Sequence, residues 1–172
     1  EEDVEATAEL LLALKAKSRG LKLTLGASTF VPKAQTPFQW SGVRPEAKKR
    51  LKLLAKKLRP QGIDFRPESY GWSLIQTLIS RSDRRLAPVI VFLKGSDNSL
   101  GSWKAAYKKV LAGELPESMP LKNSQPKPPS WDEVIFGNWN IDRQLPWQHI
   151  NTTLSQKTLI HHHDLALNQM KP

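Results

Sequence analysis

The first 65 residues alternate between helical and strand-like patterns, and this alternation constrains the fold more than any other feature of the sequence. Apolar residues recur at helical spacing in residues 2–18, and leucines alternate with polar residues in 21–31 as they do in a strand. A second amphipathic pattern spans 43–58, and a short apolar segment follows at 63–65. The order helix, strand, helix, strand predicts parallel strands that are joined by crossover helices.

Beyond residue 70 the sequence predicts helices. Residues 72–94 predict one or two helices, with a break at which Ser82 or Asp83 could cap the second helix. Residues 102–113 predict another amphipathic helix, and a last helix is expected to begin near Ser155. Together with the two strands, these segments predict a helix-dominated α/β chain.

Composition divides the chain into four predicted parts. An α/β part covers 1–70, and a helical part covers 71–113. Residues 114–130 contain five prolines and few apolar residues, which predicts a linker or a disordered loop. The last part, 131–172, is a C-terminal segment that ends in a helix.

The formal net charge is +10, and its excess lies in the first two thirds of the chain. Residues 1–113 hold 21 lysines and arginines against 10 acidic residues, whereas 114–172 hold 5 against 6. One interpretation is a polyanionic partner such as RNA, and the other is a solvated basic surface. Because cysteine is absent, the chain has no disulfide, thiol nucleophile or thiolate metal site, which fits a cytoplasmic location.

The segment STFVPKAQTPFQW, residues 28–40, is the first candidate site. A strand that ends in a polar, proline-stiffened loop is how α/β enzymes present functional groups at the carboxyl edge of a sheet. Lys33 could hold a phosphate or a carboxylate there, and Ser28 or Thr36 could supply hydroxyl donors. The alternative is a covering loop whose aromatic residues pack on a core, namely Phe30, Phe38 and Trp40.

Two further candidates are charged. Arg66 and Glu68 follow the second predicted strand, so they would form either a binding site at the same sheet edge or a surface ion pair. Residues 44–59 carry eight basic side chains against Glu46 alone. This helix could bind an RNA backbone or could simply face solvent, and no aromatic residues are interleaved for base stacking.

Two histidine-containing segments complete the candidates. His161 and Asp164 lie three residues apart on the last predicted helix, but no second pair completes a metal site, so we predict a polar helix surface and no metal. In the segment LPWQHI, residues 145–150, Trp147 and His149 either cap a pocket or anchor the C-terminal segment onto the domain.

Several segments, taken in order along the chain, resemble one enzyme family. Residues 28–40 look like the sixth-strand region, and SLIQTLISRSDRRLAPVI, residues 73–90, resembles a helical segment with an R-x-D-R-R-L signature. LPWQHINTTLSQKTL, residues 145–159, is similar to a C-terminal Leu-Pro-Trp-x-His-Ile segment, and residues 1–15 resemble the helix after the fifth strand. The family is that of the radical SAM enzymes in the group that also carries a cobalamin-binding domain.

The resemblance implies a fold and a set of cofactors. The fold would be the C-terminal part of a partial (β/α) barrel, with about two parallel strands, plus a helical C-terminal extension. Family members use S-adenosylmethionine and a [4Fe–4S] cluster held by three cysteines, and this group adds cobalamin. By strand position, the resemblance implies a set of residues that contact S-adenosylmethionine or substrate: Ser28, Phe30, Pro32, Lys33, Thr36, Pro37, Arg66 and Glu68.

The absence of cysteine limits what this chain would do. It would bind no cofactor alone and would be inactive without a missing N-terminal half, located upstream or on a separate polypeptide. Gln148 and Asn151 also stand where acidic residues are common in the family. Two alternatives stay open: a non-catalytic basic module that binds RNA or another polyanion, and a decayed gene product without a function.

Overall fold

The computed structural model of the chain describes residues 2–18, 20–119 and 126–169. They fall into two compact units, which we call the sheet unit and the helical unit. The sheet unit comprises Glu1–Phe30 and Arg44–Ser73, and the helical unit comprises Val31–Val43 and Leu74–Pro172.

The sheet unit has the predicted alternation of helices and strands. Its elements are α1 (Glu2–Lys17), β1 (Thr24–Ala27), α2 (Ala47–Leu58) and β2 (Asp64–Pro67), with a 3₁₀ turn at Arg59–Gln61. The two strands are parallel, with Thr24 opposite Asp64 and Ala27 opposite Pro67. The helix-dominated α/β class with two parallel strands is therefore confirmed, although β1 is shorter than the predicted strand at 21–31.

One face of this small sheet is apolar and packed. Leu23, Leu25 and Ala27 alternate along the first strand and pack on a buried cluster formed with α1 and α2: Ala8, Leu54, Leu58, Ile63 and Phe65. Because successive side chains of a strand point to opposite faces, the intervening residues lie on the other face. That face is polar and largely exposed, and it carries Thr24, Gly26, Ser28, Asp64 and Arg66.

The helical unit contains the predicted break near residue 82. Helix α3 (Tyr70–Arg81) begins in the sheet unit and ends here, and a 3₁₀ turn at Arg84–Leu86 leads into α4 (Ala87–Phe92). Of the two predicted caps, Asp83 is the one used, because its carboxylate accepts a hydrogen bond from the Arg85 backbone N–H at 2.9 Å.

Three more helices follow in the described part of the helical unit. They are α5 (Leu100–Ala112), α6 (Trp131–Ile135) and α7 (Gln156–Gln169). Ser155 caps α7 as predicted, with its hydroxyl accepting from the Thr158 N–H at 3.1 Å. Part of the predicted linker, residues 120–125, lies outside the described residues, and the four-part division of the chain stays a prediction.

A second core lies in the helical unit and is built around tryptophans. Its buried members are Trp40, Trp139, Leu145, Trp147 and Leu159. Backbone hydrogen bonds hold the segment 40–43 against the segment 135–139, with Val43 N–H donating to Ile135 O at 2.8 Å and Trp139 N–H donating to Trp40 O at 2.7 Å. In the described ranges, no helix is both long enough and apolar enough to cross a membrane.

Gly42→Ala is expected to lower the free energy of unfolding by about 1–3 kcal/mol, because a Cβ at this position would overlap the backbone carbonyl of Phe136. Gly26→Ala is the matched control, since a Cβ there would meet no atom within 4 Å. Urea denaturation followed by tryptophan fluorescence measures both changes. Equal stabilities of the two variants would contradict the close approach of residues 40–43 to 135–139.

Candidate functional site

Four of the eight predicted site residues belong to the sheet unit. Ser28 and Phe30 follow β1, Arg66 lies in β2 and Glu68 comes directly after it. The Glu68 N–H donates to Ala27 O at 2.8 Å, which places Glu68 beside the end of the first strand. Ser28, Arg66 and Glu68 are therefore close together at the carboxyl end of the sheet, and all three are exposed.

The ion pair at this sheet end involves a residue that was not among the predicted site residues. Arg66 donates to Asp64 Oδ2 from Nε at 2.9 Å and approaches it with a second nitrogen at 2.7 Å. This hydrogen bond lowers the pKa of Asp64 below its usual 3.8. The predicted pairing of Arg66 with Glu68 is absent among the described residues, and Asp64 takes the place of Glu68. Two residues of separation along the strand put Asp64 and Arg66 on one face. Glu68 is also two residues from Arg66, so spacing alone could not have identified the pair.

The other four predicted residues belong to the helical unit and form a compact turn. Lys33 Nζ donates to the Ser80 hydroxyl at 3.3 Å, and the Thr36 hydroxyl donates to the Lys33 carbonyl at 2.8 Å. Pro32 is buried and Pro37 half-buried. The eight predicted site residues therefore form two groups of four, one in each unit.

The aromatic residues of the segment 28–40 divide between the two interpretations. Trp40 is buried in the tryptophan core, as a covering loop requires. Phe38 contacts the edge of His163, with ring centroids 5.7 Å apart, whereas Phe30 is 55% exposed. Only part of the segment therefore acts as a covering loop.

The basic helix α2 presents most of its charge to solvent. Its apolar residues face the buried cluster of the sheet unit, and Lys57 forms an ion pair with Glu5 on α1. Six of the eight basic residues predicted here are exposed: Arg44, Lys48, Lys49, Lys52, Lys56 and Arg59. This exposure agrees with both interpretations of the helix.

The helical unit contains a cavity of about 810 Å³. The sequence predicted only one part of its wall, the segment 145–150. Residues 81–86 line one part of it, and residues 143–150 line another. Trp147 and His149 both lie in its wall. Trp147 also anchors the C-terminal segment, because its side chain is 8% exposed and donates to Gln39 Oε1 at 2.7 Å. The two predicted roles of this segment therefore occur together.

Arg81 lies in the cavity wall and is buried. Its guanidinium donates to Val134 O at 2.7 Å, to Gly137 O at 2.9 Å and to Trp40 O at 3.4 Å. Val134 lies in the last turn of α6, so its carbonyl has no partner within that helix. Arg81 thus donates hydrogen bonds to backbone carbonyls at the end of α6 and in the segment that follows it.

The charge of Arg81 is not balanced by a carboxylate within the described ranges. The side chain is 1% exposed, and its Nε has no hydrogen-bond partner there. The guanidinium carbons of Arg81 and Arg143 lie over the Trp139 ring, at 3.7 and 4.5 Å from its centroid. Burial, and then the nearby charge of Arg143, lowers the pKa of Arg81 to about 10.

The other arginines of the cavity differ in their partners. Arg85 forms a fork with Asp83, at 2.7 and 2.9 Å, and also donates to Lys127 O at 3.0 Å. Arg143 donates to Glu133 Oε1 at 2.8 Å. Arg84 is exposed, and no hydrogen bond or ion pair holds it among the residues that the structure describes.

The histidines of α7 have separate environments. His163 packs edge-on against Trp40 at 5.8 Å and approaches Asp164 at 3.4 Å, whereas the rings of His161 and His162 contact each other at 6.0 Å. The described parts of the chain contain no group of three histidine or acidic side chains that could hold a metal ion.

Arg81→Met is expected to lower the free energy of unfolding by about 3–5 kcal/mol, because it leaves buried carbonyls without donors while nearly preserving side-chain volume. Arg84→Met, in the exposed neighbour, is the matched control and is expected to change stability by less than about 0.5 kcal/mol. Urea denaturation measures both. A loss below about 1 kcal/mol for Arg81→Met would contradict the anchoring role.

Asp83→Ala is expected to lower the free energy of unfolding by about 1–2 kcal/mol at neutral pH, because it removes a helix cap and an ion pair. The hydrogen bond from Arg85 holds the pKa of Asp83 below its usual 3.8. This stabilisation is therefore present at higher pH and is lost as the pH falls through the folded-state pKa. Denaturation curves of the two proteins should converge in acid. Asp142→Ala is the control, and a pH-independent difference for Asp83→Ala would exclude a role of the carboxylate charge.

The chain is similar to an uncharacterized protein of Methanocaldococcus jannaschii, with 24% identity over 104 residues. The matched region is 60% of this chain and 23% of the archaeal protein, so the chain matches about a quarter of the length of that relative. No protein-family model matches the chain, and no solved structure matches it.

Proposed function

We propose that this chain is the C-terminal portion of a radical SAM enzyme of the cobalamin-associated group and that it is not catalytically competent alone. The observation that carries the proposal is the one-sided burial of the parallel sheet. Helices α1 and α2 cover one face, while the other face is polar and exposed. Parallel sheets normally have both faces covered, and two strands alone make a marginal sheet.

A partial (β/α) barrel explains this asymmetry. In such a barrel, helices cover the outside of the sheet, and functional groups lie at the carboxyl ends of the strands. The exposed face with Thr24, Gly26 and Ser28 would then be the inner face, completed by strands of a missing N-terminal half. Ser28, Arg66 and Glu68, which are gathered at the strand ends, would face S-adenosylmethionine or substrate.

The cofactors of the family would be held largely by the missing half. The residues of this chain do not fit a [4Fe–4S] cluster, because the sequence contains no cysteine. We therefore assign the cluster and cobalamin to the partner segment, and a contribution to S-adenosylmethionine or substrate binding to this chain. On this proposal Phe30, Pro32, Lys33, Thr36 and Pro37 complete that contribution, and the enzyme is cytoplasmic. The greater length of the archaeal relative is compatible with a larger whole.

The proposal is tested by producing the chain together with the polypeptide encoded upstream, under anaerobic conditions and with iron supplied. We expect the visible absorbance of a [4Fe–4S] cluster and cleavage of S-adenosylmethionine only when both parts are present. Absence of a cluster-binding cysteine motif from the upstream reading frames, or activity that does not depend on this chain, would contradict the proposal.

Gly26→Leu provides a sharper test of the inner face. The isolated variant should stay folded, because Gly26 lies on an exposed face and a Cβ there would meet no atom within 4 Å. In the two-part enzyme the same leucine would project into the barrel, and we expect at least a tenfold loss of S-adenosylmethionine cleavage, or about 1.4 kcal/mol. Gly101→Leu, on α5 in the helical unit, is the control. Unchanged activity of the Gly26 variant would show that this face is not the inner face of a barrel.

A second candidate function is the binding of RNA or another polyanion by α2. The observation that favours it is the row of exposed basic side chains on this helix, with one acidic residue, Glu46, beside them. Such binding would be electrostatic and insensitive to sequence, because no aromatic platform is interleaved.

Filter binding of single-stranded RNA across a salt series tests this candidate. Replacing Lys48, Lys49, Lys52 and Lys56 by glutamine should reduce the slope of log K against log salt by about 3, because each phosphate that is no longer neutralised lowers the slope by about 0.7. The control replaces four exposed lysines of the helical unit: Lys94, Lys104, Lys108 and Lys109. Equal slopes for the two variants would exclude α2 as the binding surface.

A further inference from the structure

The arginine cavity of the helical unit has an excess of positive charge that no part of the proposed function uses. Four guanidinium groups line it: Arg81, Arg84, Arg85 and Arg143. Two carboxylates pair with them, Asp83 with Arg85 and Glu133 with Arg143. In the described ranges Arg81 and Arg84 form no ion pair, although the charge of Arg84 also acts on the nearby Asp83 carboxylate. Four guanidinium groups against two carboxylates leave an excess of two positive charges.

These two arginines differ in a way that suits ligand binding. Arg81 is buried and fixed by backbone carbonyls, so its charge acts from a rigid position. Burying a cation without a counter-ion is costly, and an anion in the cavity would reduce that cost. Arg84 is exposed on the 3₁₀ turn, and its guanidinium is available for direct contact. Because Asp83 and Arg85 are locked in a fork, the turn that carries Arg84 is itself held in place.

The geometry of the aromatic residues argues against recognition of a nucleic-acid base. The Trp139 ring already contacts two guanidinium groups, and Trp147 is buried and hydrogen-bonded to Gln39. Neither tryptophan is therefore an open stacking platform of the kind that single-stranded nucleic acids require. The volume of about 810 Å³ is in the range of small-molecule sites.

We propose that this cavity binds a small phosphate monoester, with the phosphate contacted by Arg84 and Arg143 and placed in the field of Arg81. A phosphate monoester carries about −1.5 to −2 charges at neutral pH, which matches the excess of two positive charges in the cavity. Guanidinium groups bind phosphate oxygens in a bidentate manner, and Ser82 in the same wall offers a hydroxyl donor.

The test uses the full chain, with inorganic phosphate and glycerol 3-phosphate as probes. Trp139 and Trp147 lie in the cavity wall, so tryptophan fluorescence at constant ionic strength reports on occupancy. We expect saturable binding of both probes and none of glycerol. Arg84→Gln and Arg143→Gln should each weaken binding by about tenfold or more, as loss of a charged hydrogen bond does.

Arg44→Gln removes an equal charge from an exposed position in the sheet unit and is the matched control, expected to leave the affinity unchanged. Thermal unfolding of each variant without phosphate verifies that the fold is kept. We expect Arg84→Gln to keep the fold because Arg84 is exposed. Equal affinities of Arg84→Gln and Arg44→Gln, or binding that simply follows ionic strength, would overturn the proposal. So would tighter binding of a single-stranded oligonucleotide with the same dependence on Arg84 and Arg143, because the cavity would then serve a nucleic acid.

Discussion

The helical unit depends on one buried guanidinium group. Arg81, at the last position of α3, donates hydrogen bonds to carbonyls of Trp40, Val134 and Gly137. A short helix such as α6 cannot satisfy its terminal carbonyls internally, and the segment after it adds further acceptors. Because a guanidinium presents several donors in one rigid plane, Arg81 can serve acceptors from separate parts of the chain. Lysine, with a compact head group, lacks that geometry.

The same anchoring creates the electrostatic character of the cavity. Hydrogen bonds to neutral carbonyls do not neutralise the charge of Arg81. The guanidinium of Arg143 adds a second positive charge over the Trp139 ring. The fold therefore concentrates positive potential in a place where water is partly excluded, and a low dielectric strengthens its effect. In the sheet unit the situation is the reverse. There the basic charge lies on the exposed side of α2, where solvent and salt screen it.

The helices and strands could be predicted because burial on one face leaves a periodic pattern of apolar residues. The arginine cavity depends on long-range contacts, which leave no such pattern in the sequence. The alternation of leucines identified β1, and the helical spacing of Leu51, Leu54 and Leu58 identified α2, because each pattern reflects burial on one face. The strand bounds were less accurate, since only Thr24–Ala27 pairs with the second strand. From the sequence, Arg81 stands out only as the first residue of the R-x-D-R-R-L signature. Its partners lie 41 to 56 residues away and are backbone carbonyls, which any residue type supplies.

The hydrogen bonds of the Gln39 side chain bear on when each unit can fold during synthesis. Its buried side-chain oxygen accepts from the Gln35 backbone N–H at 2.9 Å and from the Trp147 indole at 2.7 Å, so one acceptor joins residues 108 positions apart. Residues 35–43 therefore leave the ribosome long before their partners at 135–147. The sheet unit, whose residues all precede position 74, has its whole sequence available earlier. Translation thus separates the two units in time, because the tryptophan core needs residues as late as Leu159 before it can form.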